Sequence, residues 1–353
     1  MLNIKDLKAN IEKIKESVEP FKLKTEQMIK DSDKVFIIPH KGADIDAIAS
    51  SIGVSMICDK LKRENHIVVG DKFEELYHGV QEIIEEVKDE HSIIGLEDFE
   101  KMRTKDSLNI LCDVSNPQII YPKELDAKKL AIIDHHCKKD EWFEGAVSHV
   151  DKNSSSASEI VSILLSLHNI NINPKIANIL YAGIRLDTNK LSNDKLSPTT
   201  MLISSELCNL GASNSAADLY TLDDFNQRRR VEELTKDTIF LTTVIAVTPG
   251  KEKNIYTKEE LAQAADSILK SKKTIDKKID AAFSVGKLDD GTVQISARGS
   301  DTFYIKDIVE QLGGGSDEIR GASNIANTSV EETVGKIKQI VLPFQARKTV
   351  LDK

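Results

Sequence analysis

No stretch of this 353-residue chain approaches the ~18–20 uninterrupted apolar residues that a membrane-spanning helix needs, so none is expected to cross a bilayer. Cysteine is scarce: Cys58, Cys112, Cys137 and Cys208 are scattered and form no CxxC pair. That pattern argues against a disulfide framework or a zinc–cysteine cluster and suits reduced thiols. The N-terminal MLNIKDLKANIEKIKES is charged and has no apolar secretory core, so a cytoplasmic location is expected. A positive charge excess is also missing. At a net charge of −9 the chain cannot hold long nucleic acid by a general electrostatic footprint. Any polyanion must be met by local cations, metals or backbone amides. The short basic runs RRR (228–230) and KSKKTIDKK (270–278) alternate with acids and read as solvated helix faces.

What the chain does have is enough length for two well-packed domains and a regular alternation of short apolar runs with helical patterns. Residues 4–31 carry apolar residues at helical spacing and predict an amphipathic N-terminal helix. Four runs follow, VFIIPH (35–40), HIVVGD (66–71), LNILCDV (108–114) and LAIIDHH (130–136), with helical segments such as DAIASSIGVSMICDKLK (46–62) between several of them. Continuously apolar strands separated by helices predict an α/β fold: a parallel sheet flanked by helices, with ligands beyond the carboxyl ends of the strands.

Helices are expected at 156–167, 174–186 and 199–210. After about residue 220 the texture changes. A connecting helix over DDFNQRRRVEELTKDTIF precedes a strand at 242–248, a helix at 260–270 and the hairpin AAFSVGKL-DDG-TVQISAR. A helix at 303–312 then meets GGGS, and a last helix starts at Ser329. This is a second, smaller α/β domain. The expected division is an N-terminal helix (1–32), a catalytic domain (33–215), a linker helix (216–236) and a substrate-binding domain (237–345).

The strand ends gather groups that are costly to bury: His40, Asp44 and Asp46 from PHKGADIDAIAS, Asp113 from LCDVSNP, and Asp134, His135 and His136 from AIIDHHC. Asp187 ends a further apolar run, ILYAGIRLDT. Singly, each reads as a helix cap, a core group or a surface group. Together they read as a metal site, because converging carboxylates repel one another unless cations take the charge. Carboxylates and imidazoles without thiolate favour Mn²⁺, Mg²⁺ or Fe²⁺ over structural zinc. Two such ions, ~3.5–4 Å apart, suit in-line attack on phosphorus.

HKGADIDAIASSIG, the Asp of LCDV, IDHH and GIRLDT stand in the order of the four motifs of the DHH phosphoesterase family, which the chain resembles over about residues 33–342. QISARG and the glycine triplet resemble its DHH-associated substrate-binding domain. SSSASEIV and AQAADSIL strengthen a likeness to the catalytic portion of GdpP-type cyclic-di-AMP phosphodiesterases, as a stand-alone version or an excised part. The resemblance implies a manganese-dependent phosphodiesterase with two divalent cations. His40 and Asp44 would hold one ion, Asp46, His135 and Asp187 the other, and Asp113 would bridge them. Asp134 would orient the neighbouring imidazole, and His136 would contact the scissile phosphate. Arg298 would grip the substrate, with Gly313, Gly314 and Gly315 offering backbone amides near a helix start. Relatives usually carry a histidine after the triplet, where this chain has Ser316. The implied substrate is cyclic-di-AMP, opened to pApA. The alternatives are a nanoRNA or 3′-phosphoadenosine 5′-phosphate phosphoesterase and a receptor that binds nucleotide without cutting it. A homodimer is left open.

Overall fold

The computed structural model describes residues 4–121, 125–136, 143–192, 196–221, 225–270, 279–300, 303–316 and 318–351. Cys137 and residues 271–278 of the second basic run lie outside them. The chain divides into two compact units, Met1–Leu222 and Asp223–Lys353.

In the first unit the expected apolar runs do form strands. β1 (Val35–Pro39), β2 (Asn65–Val68), β3 (Ile93–Ile94), β4 (Leu108–Cys112), β5 (Leu130–Asp134) and β6 (Val147–Val150) make one parallel sheet in the order β3-β2-β1-β4-β5-β6. The runs are continuously apolar because both faces are covered. Val35, Ile37, Ile110, Ala131 and Ile133 enter one core cluster, and the alternate residues Phe36, Ile38, Leu111, Leu130 and Ile132 enter another. The strand order reverses between the neighbours β1 and β4, so the chain diverges there and leaves a crevice at their carboxyl ends.

The helices are α1 (Ile4–Asp31), α2 (Ile45–Lys60), α3 (His78–Val87), α4 (Leu96–Met102), α5 (Ala157–Leu167), α6 (Pro174–Asp187), α7 (Pro198–Asn209) and α8 (Asn214–Tyr220). α2 is small and apolar nearly all round because it is central, packed on β1 and against α5 and α6. Gly53 permits that approach, since a Cβ there would lie 2.3 Å from Val161 Cγ1. α1 buries Val18, Phe21 and Ile29 in the same core and thus docks on this unit.

The second unit comprises α9 (Phe225–Thr235), β7 (Ile239–Phe240), β8 (Ile245–Pro249), α10 (Lys258–Lys270), β9 (Ala281–Lys287), β10 (Val293–Gly299), α11 (Lys306–Gln311), β11 (Gly315–Ser316), β12 (Arg320–Ile325) and α12 (Val330–Leu351). Its sheet is mixed, in the order β11-β12-β10-β9-β8-β7, with β8 and β9 parallel and the other pairs antiparallel. The DDG turn joins β9 to β10 with Gly291 at φ +82°.

Two expectations need correction. Instead of one linker helix over 216–236, the structure has α8 and α9, and α9 packs on α10 through Val231, Leu234, Leu261 and Ala264. The glycine triplet does not precede a helix. It follows the carboxyl end of α11, where Gly313 at φ +74° ends the helix in the left-handed conformation, and it runs into β11.

Candidate metal centre

The loop after β1 supplies His40 and Asp44. Asp44 is the N-cap of α2, accepting from Ala47 N at 3.0 Å, so one carboxylate both starts the helix and faces the crevice. Gly42, at φ +61°, turns this loop, and its amide donates to Asp71 after β2 at 2.7 Å. His40 Nδ1 lies 2.8 Å from the Lys41 carbonyl, which fixes the ring and turns Nε2 toward Asp44 and Asp113 at 3.8 and 3.6 Å. A backbone carbonyl on one ring nitrogen and an inward-facing second nitrogen is the usual posture of a metal-binding histidine.

Asp113 follows β4 with its backbone at φ +60°, a strained conformation for a residue other than glycine. Its two oxygens face different partners: Oδ2 faces His40, while Oδ1 is 3.2 Å from His135 Nε2. His135, after β5, also lies 2.9 Å from Asp187 Oδ2 and 4.0 Å from Asp46 Oδ2. Two groups of potential ligands result, His40–Asp44–Asp113 and Asp46–His135–Asp187, with a third, Asp113–His135–His136, linking them. All six candidate ligands therefore come together.

Asp46 is held from afar. It is fully buried, and its oxygens accept from the amides of Ala157 and Ser158 at the start of α5, at 2.7 and 2.9 Å. Gly183 on α6 makes room for it, because a Cβ there would lie 2.3 Å from Ser158 Oγ and 2.9 Å from Asp46 Oδ1. Neither support was legible in the sequence beyond the run SSSASE. Asp134 is also fully buried; its Oδ1 accepts from the amides of His135 and His136 and lies 2.8 Å from His136 Nδ1. The imidazole that Asp134 orients is thus that of His136, whose ring is more than half exposed.

The charges do not settle without a further partner. Burial raises Asp46, with Asp187 adding to it, to about 6. Burial and Asp46 push Asp113 well above the ordinary carboxylate range. Burial opposes protonation of the two histidines, yet Asp44 beside His40 raises it to about 9, and Asp113 and Asp187 beside His135 raise it to about 11. Burial opposes ionisation of Asp44 and Asp134 too, but His40 and His136 respectively hold them below the usual range. Meanwhile Asp113 Oδ1 and His135 Nε2 are buried without a hydrogen-bond partner, despite their proximity. Two unsatisfied ligand atoms aimed into one space fit a bound cation, and the donor set of oxygens and imidazole nitrogens fits a divalent one.

In the second unit Arg298 on β10 is mostly buried and donates from Nε to Asp266 at 3.0 Å. Directly opposite on β12 stands Arg320, a residue exposed to solvent. Cross-strand partners share a face, so two guanidinium-bearing residues face the same way there. Gly315 and Ser316 pair with Ala322 and Gly321 on the same β12, and Ser316 Oγ is buried without a hydrogen-bond partner. No helix start lies beside the triplet among the described residues.

The chain is 27% identical over 330 residues to the cyclic-di-AMP phosphodiesterase GdpP of Bacillus subtilis, covering 89% of this chain and 48% of that one. It is 26% identical over 337 residues to the cyclic-di-AMP phosphodiesterase PdeA of Listeria monocytogenes, covering 91% and 49%. The chain thus spans about half the length of these relatives. A probable bifunctional oligoribonuclease and PAP phosphatase NrnA of Streptococcus mutans is 25% identical, covering 89% of this chain and 96% of its own. Among solved structures, an exopolyphosphatase-related protein of Bacteroides fragilis shares the fold at TM-score 0.74 and 17% identity, covering 95% of this chain and 98% of that one. Residues 34–184, which include every candidate ligand except Asp187, match the model of the DHH family, N-terminal domain. The first unit thus contains the region that matches the DHH family, N-terminal domain, and the chain shares its fold with the exopolyphosphatase-related protein.

Proposed function

We propose that this protein is a two-metal phosphodiesterase that opens cyclic-di-AMP to the linear dinucleotide pApA. The observation that carries the reading is the position of Asp113, whose two oxygens serve two adjoining ligand groups and so suit a bridging carboxylate. Mn²⁺ is the proposed ion. A bound pair would supply an activated water at neutral pH and charge stabilisation on the phosphoryl oxygens.

The chain's own residues do the rest. His40, Asp44, Asp46, Asp113, His135 and Asp187 would fix the ions. Asp134 sets the ring of His136, leaving its Nε2 to meet a phosphate oxygen beside the centre. Arg298 and Arg320 would bind the substrate's phosphate or base, guanidinium being suited to paired hydrogen bonds. Arg320 would make up for the histidine that Ser316 replaces.

The test is incubation with Mn²⁺ and cyclic-di-AMP, resolved by chromatography. Conversion to pApA is expected, and unchanged substrate at high enzyme concentration defeats the assignment. Similarity to an oligoribonuclease and PAP phosphatase along nearly that protein's whole length supports a second reading, with short RNA or 3′-phosphoadenosine 5′-phosphate as substrate. Competition among the three substrates separates the two readings. Tight binding with no turnover of any of them would favour the receptor.

A further inference from the structure

A recess of about 450 Å³ in the second unit is lined by α9, by Asp237 and by the loop that follows β8. Among the described residues, neither Arg298 nor the glycine triplet lines it, and those that do belong to this unit. Among them the rim carries four cationic residues, Arg229, Arg230, Lys251 and Lys253, against two acids, Glu233 and Asp237. In a chain of net charge −9 this local excess stands out.

The four cations are not equivalent. Arg230 is fixed as a wall, bonded to Glu260 and to the Ile255 carbonyl. Arg229 is exposed and pairs loosely with Glu233 at 3.6 Å. Lys251 and Lys253 are exposed on the loop and are the recess's mobile-armed charges.

The floor is preorganised around Tyr256. Gly250 and Gly286 press on its ring, where a Cβ would come within 2.6 and 2.8 Å of ring carbons. The phenol is mostly buried, and its oxygen accepts from Lys251 N at 3.1 Å and Asn254 Nδ2 at 3.3 Å. With both lone pairs taken, the hydroxyl hydrogen must find an acceptor elsewhere, and Tyr256 lines the recess.

We infer that this recess binds a phosphorylated ligand of nucleoside monophosphate size, distinct from the substrate of the metal centre. Lys251, Lys253, Arg229 and the Tyr256 hydroxyl face the phosphate, and Glu233 and Asp237 accept from the ligand's hydroxyl or amino groups. Volume and charge agree with this, since small-molecule sites span ~300–1,000 Å³ and a nucleotide presents acceptors at one end and donors at the other.

The experiment is calorimetric titration of the full chain with adenosine 5′-monophosphate. EDTA and the change Arg298→Ala are used to disable the metal centre and the proposed substrate contact. One saturable site is expected, with adenosine binding at least about tenfold more weakly, the scale of one charge-assisted contact. Lys251→Glu with Lys253→Glu should weaken binding by about tenfold or more, again by the loss of charge-assisted contacts. Tyr256→Phe tests the hydroxyl separately, without removing the packed ring, and should weaken binding several-fold; the bonds it also takes from Lys251 N and Asn254 Nδ2 are read apart from this, as a fall in the ligand-free melting temperature. Absence of a saturable site, equal binding of adenosine, or wild-type affinity in the lysine double variant or in Tyr256→Phe overturns the inference. None of these outcomes depends on which phosphodiester the metal centre cuts.

Discussion

The strain of the centre is local to a few side chains, and it gives a pH dependence with a definite sign. In the metal-free protein, His40 is raised from 6.5 to about 9, so its stabilisation is complete below about 6.5 and is lost as pH rises through 9. His135 carries the same loss on toward 11. Asp46, raised from 3.8 to about 6, also favours the protonated folded state and loses that contribution as pH rises through 6. Asp44 and Asp134 are lowered and act oppositely, giving up stability only as pH falls below the ordinary carboxylate range. EDTA-treated protein should therefore melt at progressively lower temperature from pH 6 to 9, while the rise produced by Mn²⁺ grows as the imidazoles lose their protons. Melting curves with and without the ion test this, and a metal-free curve that climbs over that range would contradict it. Gly183→Ala probes the same centre sterically. Its Cβ would collide with Ser158 and Asp46, so a loss of ~1–3 kcal/mol and weaker Mn²⁺ binding are expected by denaturation and calorimetry. The candidate ligands were legible because acids and histidines ended apolar runs. The supports of Asp46 were not, since its amide donors lie 111 and 112 residues away along the chain.

At the scale of elements, the parallel strands and main helices were readable from period and apolarity. The misses have physical causes. β3 and β6 are short and only half-buried, so neither writes a continuous apolar run. The linker helix was expected as one piece because its sequence remains helix-compatible across the change of unit. The glycine triplet was placed before a helix although its first member ends α11, a left-handed position that a sequence alone shows only as glycine. The α2 start shows how an element and a site share a residue. Asp44→Asn keeps an oxygen that can cap Ala47 N, whereas Asp44→Ala does not. Both variants should lose Mn²⁺ affinity, but only the alanine should cost the metal-free protein ~0.5–2 kcal/mol. Equal losses of metal-free stability in the two would show that the cap is not what Asp44 contributes to folding.

At the scale of the whole molecule, the two units have separate cores and separate chemistry. The six candidate ligands all belong to Met1–Leu222, while Arg298, Arg320 and the glycine triplet belong to Asp223–Lys353. Changes in the second unit should then alter substrate affinity without altering metal affinity. Arg298 and Arg320 stand opposite one another on β10 and β12, with Asp266 already meeting Arg298, so the pair concentrates positive charge on one face of the sheet. A substrate phosphate is the proposed further partner of that face. If the proposed substrate is right, Arg298→Ala and Arg320→Ala should each raise KM for cyclic-di-AMP by about tenfold to a hundredfold, the scale of one hydrogen bond to a charged group, with kcat nearly unchanged. Mn²⁺ affinity measured without substrate should stay at the wild-type value in both, whereas Asp113→Asn should lose it. If the two guanidiniums share one phosphate, the double variant should depart from the sum of the single effects. A wild-type KM in Arg320→Ala would leave Ser316 without its proposed replacement, and the substrate contact would then rest on Arg298 alone.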